Sequence, residues 1–256
     1  MDTHLIFYVD LLGVQAAIDE STDERVTALS KLLHEMASLR GAFSVEEEDQ
    51  QDGWSFTIRP ETSTFSDHIV ISYKTRGLSQ RVEQNILTSA LVSAERHLSF
   101  LAVEALSLDL LIRGGVALGP LHHENGVVIG KAMVEAYRLE SGIANYPRIV
   151  MSRELCAELK ANIEQSFALT DHDGVAHFNY FRRMMRWNYE GGHAVPTINP
   201  EVRDKILENI ERLGAAKRWK ELAKWEWFKR TLEQVRLALQ NASNRLPTVS
   251  ELTTFK

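Results

Sequence analysis

Apolar and polar positions alternate in blocks from the N-terminus to Phe181. The stretch Leu5–Leu11 is almost wholly apolar and predicts a buried strand. The segment Val14–Leu39 then carries apolar residues at helical spacing, which predicts a helix that breaks near Ser21–Asp23. The acidic stretch SVEEEDQQDG at 44–53 follows and predicts a solvated loop.

Strands and helices alternate through the middle of the chain. WSFTIRP at 54–60 and DHIVISYK at 67–74 predict two antiparallel strands on either side of the turn-like ETSTFS. The elements predicted after them are a helix over Gln80–Leu106, strands at 110–121 and 126–130, a helix over Lys131–Ala144, a strand at 148–152, a helix over Arg153–Ile163 capped by Ser152, and a hairpin around Asp173-Gly174. Strands that arrive in hairpins between helices favour an α+β fold, with helices packed on a largely antiparallel sheet.

The pattern changes after the predicted hairpin. Residues 182–200 are rich in turn formers and predict an irregular segment, and Glu201–Ala242 predicts mostly helix with a break near Gly214. We therefore expect a domain over residues 1–182 and a mostly helical extension over residues 183–256. The extension is expected to pack on that domain or on a second copy of the chain.

Composition narrows the class of protein. The 256 residues are 44% apolar and 25% charged, which is ordinary for a globular chain. A net charge of −6 argues against a general nucleic-acid binder. The single cysteine, Cys156, excludes an internal disulfide and a cysteine-based metal site, and it fits the cytosol. We expect no secretory signal, because the sequence enters a predicted strand at once without a basic region or a cleavage site. We expect no membrane span, because no apolar run approaches ~18 residues.

Two carboxylates stand at the ends of predicted strands. Asp10 closes the first apolar strand, and Asp67 comes just before another. An ionised carboxylate buried without a partner is costly, so such residues usually reach a metal, a basic group or water. Two acids at one sheet edge could hold one or two hard cations such as Mg²⁺. The spacing alone also fits aspartates that cap their own turns.

The turn at Gly13 and the side chain of Arg138 could each bind a phosphate group. Gly13 follows Asp10 where a helix is predicted to begin, and backbone N–H groups of Leu12, Gly13 and Val14 could face a phosphate there. A plain strand-to-helix turn explains the glycine equally well. Arg138 lies on the helix predicted from Lys131, where its guanidinium could bind phosphate oxygens or pair with Glu135 or Glu140.

These residues, taken in order, resemble the catalytic domain of class III nucleotidyl cyclases. That family has an aspartate on its first strand followed by an apolar residue and a glycine, a second aspartate in the next hairpin, an R-x-G-x-x-x-G strand, a further hairpin with a glycine, and a helix ending in A-A-R-L-E. The matching positions here are Asp10 in YVDLLG, Asp67 in FSDHIVIS, RGGVALG at 113–119, Gly130, and Arg138 in EAYRLES. The resemblance covers about Leu5–Phe181, and it implies the family's ferredoxin-like core.

The resemblance also implies the chemistry of the site. Two divalent cations, Mg²⁺ or Mn²⁺, would be held by Asp10 and Asp67, with help from the main-chain carbonyl of Leu11. Arg138 would stabilise the charge on the α-phosphate during transfer. Because sites of this family straddle a homodimer, Arg138 would come from the other subunit.

The sequence departs from the family pattern at positions that recognise the nucleotide base. Val134 replaces the family's asparagine four residues before the arginine. The residues that read a purine would fall near Val127 and Ser63, so the usual purine-reading groups are absent. The chain looks most like the stand-alone bacterial pyrimidine cyclases of Pycsar anti-phage systems, which implies cyclic UMP synthesis and a separate effector protein activated by that product.

Alternative functions remain open at this point. The enzyme alternatives are a cytidylate cyclase and then an adenylate or guanylate cyclase. The non-enzyme alternative is a degenerate cyclase domain that binds nucleotide or dimerises. Trp219, Trp225 and Trp227 lie among basic residues near the C-terminus, and their helical spacing favours a packed amphipathic helix over a nucleic-acid surface.

Overall fold

The computed structural model describes residues 1–19, 23–38, 45–49, 54–75, 80–162, 165–190 and 193–243. The chain divides into two compact units, Met1–Tyr180 and Phe181–Lys256. This division falls close to the predicted boundary at residue 182. The predicted roles of the two parts, and the packing of the extension, stay predictions.

The first unit follows the predicted order closely. Its strands are β1 (Asp2–Leu12), β2 (Val45–Asp49), β3 (Trp54–Ile58), β4 (Glu61–Phe65), β5 (His68–Lys74), β6 (Leu111–Glu124), β7 (Val127–Ile129), β8 (Ile149–Met151), β9 (Ala168–Thr170) and β10 (Ala176–Phe178). Its α-helices are α1 (Val14–Asp19), α2 (Asp23–Ser38), α3 (Gln80–Ser107), α4 (Lys131–Ile143) and α5 (Arg153–Asn162).

One sheet organises this unit. Its strands run in the order β4-β5-β1-β6-β8-β10-β9, and β7 pairs with β6. β1 is antiparallel to both of its neighbours, β5 and β6, whereas β6 and β8 are parallel. The first strand, a helical segment, the β4–β5 hairpin, α3 and β6 thus form a ferredoxin-like β-α-β-β-α-β core. The predicted α+β class, with a largely antiparallel sheet and packed helices, is confirmed.

The central strand β1 contributes to apolar layers on both faces of this sheet, because successive side chains point to opposite sides. Phe7 makes edge-on contacts with Tyr73 and Phe178 on one face. Ile6 and Tyr8 belong to the opposite cluster, which includes Ala132 and Ala136 of α4. Asp10 shares the parity of Ile6 and Tyr8, so it lies on the face that α4 covers.

Two adjacent glycines allow this close packing. A Cβ at Gly114 would overlap the Tyr8 carbonyl of β1, and one at Gly115 would overlap the Ala136 carbonyl of α4. The absence of side chains therefore lets β6 approach both neighbours at once. The glycines of the RGGVALG stretch fix how α4 lies on the sheet.

Two predictions between α2 and β5 were wrong. The acidic segment predicted as a loop supplies β2, which pairs with β3 in a separate two-stranded sheet, while residues 50–53 lie outside the described part. The turn-like segment ETSTFS supplies β4, which is the true partner of β5. The predicted pair of WSFTIRP with DHIVISYK therefore does not form. A short polar strand gives little periodic signal, and its pairing is decided by the sheet that receives it.

The long helix α3 lies in the core. By length and composition, Glu83–Ser107 is the one helix among the described residues that could cross a membrane, with a mean hydropathy of 1.2 in its most apolar window. That window is 72% buried inside the structure. A core helix passes the same test, so the finding is weak evidence for a span.

The second unit combines a hairpin with two helices. β11 (Met185–Glu190) pairs with β12 (His193–Ile198), and α6 (Pro200–Ala215) and α7 (Trp219–Ser243) follow. The prediction of an irregular segment over 182–200 was wrong, because a polar hairpin carries little apolar alternation. The predicted helix break near Gly214 is confirmed. Trp225 and Trp227 are buried, as the amphipathic-helix interpretation predicts, whereas Trp219 is exposed.

Candidate metal and nucleotide site

Strand pairing brings the two predicted acids to one edge of the sheet. Asp10 lies opposite His68 in the ladder between β1 and β5, and Asp67 directly precedes that histidine. The backbone N–H of Leu11 donates to the Asp67 carbonyl over 3.2 Å, which ties the strand end to the turn. The acids thus stand at the ends of neighbouring strands, and their role as ligands stays a prediction.

A tight hairpin turn presents Asp67. Phe65 pairs with His68, so only Ser66 and Asp67 form the loop between β4 and β5. Ser66 has a φ of 54°, a left-handed conformation that costs energy for a residue with a side chain. Its hydroxyl donates to Asp67 Oδ1 over 3.0 Å. The turn therefore fixes this carboxylate beside the end of β1.

The two carboxylate oxygens of buried Asp10 have different neighbours. Oδ2 accepts from Arg113 Nε at 2.8 Å, and Arg113 stands opposite Asp10 in the ladder between β1 and β6. Oδ1 instead lies 3.8 Å from His68 Nε2. One oxygen is neutralised by a guanidinium, and the other faces the histidine.

A metal-binding arrangement results. One ligand atom each from Asp10, Asp67 and His68 lie within 4.8 Å of one another. His68 Nδ1 is 3.1 Å from Asp67 Oδ1, yet among the described residues this buried nitrogen has no hydrogen-bond partner. Carboxylate oxygens and imidazole nitrogen are both common metal donors. A buried donor atom without a hydrogen bond, beside two acids, fits a divalent cation.

Negative charges near this cluster act on the neighbouring Tyr8. Burial raises the pKa of Tyr8 to about 12, and the negative charges of Glu140 and Asp10 add to the shift. Tyr8 precedes Asp10 by two positions and therefore shares its face of β1. Those negative charges would stabilise a bound cation, whereas burial, the larger cause of the shift, disfavours a charge of either sign.

Glu140 is the second carboxylate that pairs with Arg113, the residue that also holds Asp10. Its Oε1 lies 2.8 Å from Arg113 Nη2, so one guanidinium bridges two buried carboxylates. Burial raises the pKa of Glu140; Arg113 opposes this shift, and Asp10 adds to it. The sequence places Glu140 within reach of Arg138 on the same helix. The structure pairs it with Arg113 instead.

The raised pKa of Glu140 predicts how the stability of the protein depends on pH. The folded state binds this proton more readily than the unfolded chain, so the contribution of Glu140 to stability is complete below its ordinary pKa of 4.5 and is lost as pH rises through the folded value. We expect Glu140→Gln to match or exceed the wild type in unfolding free energy at pH 7. The difference should close below pH 4.5, as measured by denaturant titration without metal.

The exposed Glu124 supplies the control, because Glu124→Gln changes the same chemical group outside this cluster. It should change the unfolding free energy at pH 7 by no more than about 0.5 kcal/mol. A loss of more than about 1 kcal/mol in Glu140→Gln at pH 7 would mean that the ion pair with Arg113 outweighs the burial of Glu140.

Gly13 forms the turn after β1. Its φ is 104°, which favours glycine, and its carbonyl accepts from Ala17 N to start α1. The predicted phosphate contacts from Leu12, Gly13 and Val14 would use the backbone N–H groups of this turn. Because α1 has six residues, its dipole adds little, and the N–H groups themselves would carry the binding.

Arg138 lies elsewhere on the unit. It is exposed on α4 and lines a cavity of about 790 Å³ together with Val134 and Glu135. Within the described part of the chain it makes no hydrogen bond and no ion pair. Arg138 is therefore not joined by such a contact to Asp10 or Asp67 of its own subunit.

The residues predicted for the base pocket are divided between two places. Ser63 of β4 shares a 2.8 Å hydrogen bond with Nε2 of buried His123, and Ser72 shares another with Nδ1 of the same ring. His123 sits in the β6–β7 hairpin, where Val127 is exposed. Ser63 is thus linked to the hairpin that carries Val127, whereas Val134 lies on α4 beside the cavity of Arg138.

The sequence did not indicate the contacts of four polar residues near the predicted site. They are His68, Arg113 and Glu140 around Asp10, and His123 beside Ser63. Each lies inside or beside a quoted motif, but its partner is distant in sequence, and only strand register reveals the contact. The parity of His68 and Asp10 on paired strands would have been the usable signal, had the β1–β5 pairing been known.

The chain matches no protein-family model and no curated protein. It is similar to the monomeric guanylyl cyclase domain of the RhoGC fusion protein from the aquatic fungus Blastocladiella emersonii, with 13% identity and a TM-score of 0.42 over 70% of this chain and 95% of that one. It is also similar to the guanylyl cyclase Cya2, with 14% identity and a TM-score of 0.36 over 77% and 91% of the two chains. A third similar structure is the catalytic core of a rhodopsin-guanylyl cyclase with converted specificity in complex with ATPαS, at 14% identity and a TM-score of 0.42 over 69% and 92%. At these identities the likeness concerns the fold alone.

Proposed function

We propose that this chain is a nucleotidyl cyclase, a lyase that converts a nucleoside triphosphate into a 3′,5′-cyclic nucleotide and pyrophosphate. We further propose that the preferred substrate is UTP and the product cyclic UMP. The observation that carries the proposal is the meeting of Asp10 and Asp67 at the ends of β1 and β5. Nucleotide cyclisation needs such paired acids, because the triphosphate arrives with divalent cations.

The acids and their neighbours have separate roles in this proposal. Asp10, Asp67 and the Leu11 carbonyl would hold two divalent cations, Mg²⁺ or Mn²⁺, which when bound acidify the 3′-hydroxyl and neutralise the triphosphate. The turn at Gly13 would hold phosphate oxygens through its backbone N–H groups. Arg113 keeps Asp10 in place by holding Oδ2, so that Oδ1 stays on the side of the cluster.

Arg138 would act across a homodimer. Its exposed position, without an ion pair to the acids in the described chain, supports a role in a partner's site. A guanidinium donates two parallel hydrogen bonds to phosphate oxygens, so it suits the charge that develops on the α-phosphate. Each dimer would then contain two composite sites, with acids from one subunit and the arginine from the other.

The pyrimidine preference and the biological role rest on the sequence resemblance. Ser63, Val127 and Val134 would line the base pocket, and none carries the charged group expected of a purine reader. We propose a cytoplasmic second-messenger synthase in bacterial anti-phage defence that acts on a separate cyclic-nucleotide-activated effector. Cytidylate cyclase is the next candidate, followed by adenylate or guanylate cyclase.

A substrate screen tests the proposal. The purified chain is incubated with ATP, GTP, CTP or UTP and Mn²⁺, and products are identified by mass spectrometry and pyrophosphate release. We expect cyclic UMP as the main product, with no product in the presence of a chelator. A purine cyclic nucleotide as the main product would reject the pyrimidine assignment. Nucleotide binding without metal-dependent consumption of any triphosphate would favour the non-enzyme alternative, a binding or dimerisation module.

A further inference from the structure

His68 stands at the centre of the acid cluster, and its environment suits metal ligation. Its ring contacts Tyr8, with centroids 5.1 Å apart, and Phe65, at 5.4 Å and 13° from parallel, and those two rings also contact each other at 6.2 Å. Two aromatic neighbours limit the rotation of the imidazole. A ligand held in place before binding loses little conformational entropy when the ion arrives.

The distances are close to those of a chelate. Ligand atoms at adjacent corners of an octahedral ion, each ~2.1 Å from the metal, are ~3.0 Å apart. His68 Nδ1 and Asp67 Oδ1 are 3.1 Å apart, and the three ligand atoms, including that of Asp10, lie within 4.8 Å of one another. Small side-chain movements would therefore close the site around an ion.

In the described part of the chain, His68 Nδ1 has no hydrogen bond that would compete with a metal ion. His68 Nδ1 is buried and, among the residues that the structure describes, accepts or donates no hydrogen bond despite its closeness to Asp67. Buried polar atoms are nearly always satisfied, so an unsatisfied one calls for an explanation such as an ion. Asp10 Oδ1, the oxygen that Arg113 Nε does not hold, lies 3.8 Å from the other ring nitrogen, Nε2.

We propose that His68 is a third protein ligand of one of the two cations, and that it makes this position prefer a first-row transition ion such as Mn²⁺ to Mg²⁺. The inference rests on the proposed function only for the presence of a divalent cation at Asp10 and Asp67. Mg²⁺ takes oxygen ligands and keeps its waters, whereas imidazole suits transition ions. The nitrogen at this site thus adds selectivity that two carboxylates alone would not give.

Two readouts besides activity test the ligand. Pulsed EPR of the full chain loaded with Mn²⁺ and a non-reacting triphosphate analogue should show nitrogen coupling, which changes when histidine is labelled with ¹⁵N. Titration with Mn²⁺ and Mg²⁺ gives the two dissociation constants. His68→Phe keeps an aromatic ring beside Tyr8 and Phe65 but removes both nitrogens. It should abolish the coupling and weaken Mn²⁺ binding at least about tenfold, with little change for Mg²⁺.

The chain contains its own control. His172 also follows an aspartate, and its Nδ1 lies 2.6 Å from Asp171 Oδ1, but it is exposed in the β9–β10 turn. His172→Phe should leave the coupling and both dissociation constants unchanged. If His68→Phe does not fold, His68→Asn is measured in its place, since it removes the imidazole without adding volume.

The outcomes separate this inference from the proposed function. Nitrogen coupling that depends on His68, in a chain that cyclises no triphosphate, upholds the ligand and rejects the activity. Cyclisation without nitrogen coupling, or with the same Mn²⁺ to Mg²⁺ ratio in His68→Phe as in wild type, overturns the ligand and leaves the activity standing. Absence of Mn²⁺ binding, with or without the analogue, also overturns it.

Discussion

Asp67→Asn should abolish cyclisation while the protein stays folded. Asparagine keeps the size of the side chain in the Ser66–Asp67 turn but removes the negative charge that a cation needs. We expect turnover to fall on the order of 10²-fold or more, the scale for losing a preorganised electrostatic group. Asp67 is partly exposed and pairs with no arginine or lysine in the described chain. The midpoint temperature of thermal unfolding, measured without metal, should therefore stay the same or rise.

Asp10→Asn should lose activity to the same degree but with a cost in stability. Asp10 is buried and accepts from Arg113, so its charge is part of the bridge to Glu140. The matched control is Asp19→Asn, an exposed acid on α1 that makes the same chemical change nearby. Mn²⁺-dependent turnover of either site variant within tenfold of wild type would exclude the two-acid site.

Mixing two inactive variants should restore activity. If Asp67 acts from one subunit and Arg138 from its mate, Asp67→Ala and Arg138→Ala homodimers each contain two damaged sites. A heterodimer of the two has one site with both lesions and one with neither. Random exchange gives about half heterodimers, so activity should return to roughly a quarter of wild type per subunit, since a two-fold interface repeats the same contacts.

Exchange has to be demonstrated for this experiment, for instance by co-purification of differently tagged subunits. The control mixes Asp67→Ala with Asp10→Ala, whose lesions fall in the same half of each site. That mixture should stay inactive at every ratio. Confirmed heterodimers of Asp67→Ala and Arg138→Ala without recovery would reject the composite site, and with it the proposed role of Arg138.

Long apolar segments allowed most of the first unit to be predicted from sequence. β1, α3, β6 and α4 each bury a continuous or periodic apolar face, so the pattern dictates the element. β2 and β4 are short and polar, and nothing local distinguishes VEEED or ETSTF from a loop. Their strand character comes from the backbone hydrogen bonds of partners that the sequence alone does not identify.

The candidate site divides in the same way. Asp10 and Asp67 could be found because a carboxylate beside a buried strand is unusual in itself. Arg113, His68 and Glu140 could not, since each is ordinary in its own segment and gains meaning only from register. The closeness of Glu140 to Arg138 in sequence suggested a surface pair. On α4, however, Arg138 points to solvent, whereas Glu140 points to Arg113 of the sheet.

Helix α4 makes insertions and deletions more damaging than substitutions. Arg138 and Glu140 are two positions apart, which places them about 200° from each other around the helix axis. One faces solvent and the other lies against Arg113 in the sheet. A single residue added between them would turn one by about 100° relative to the other, so that no shift of the helix could satisfy both. Active variants of this chain should therefore carry no inserted or deleted residue within EAYRLES, even where they carry substitutions in that segment.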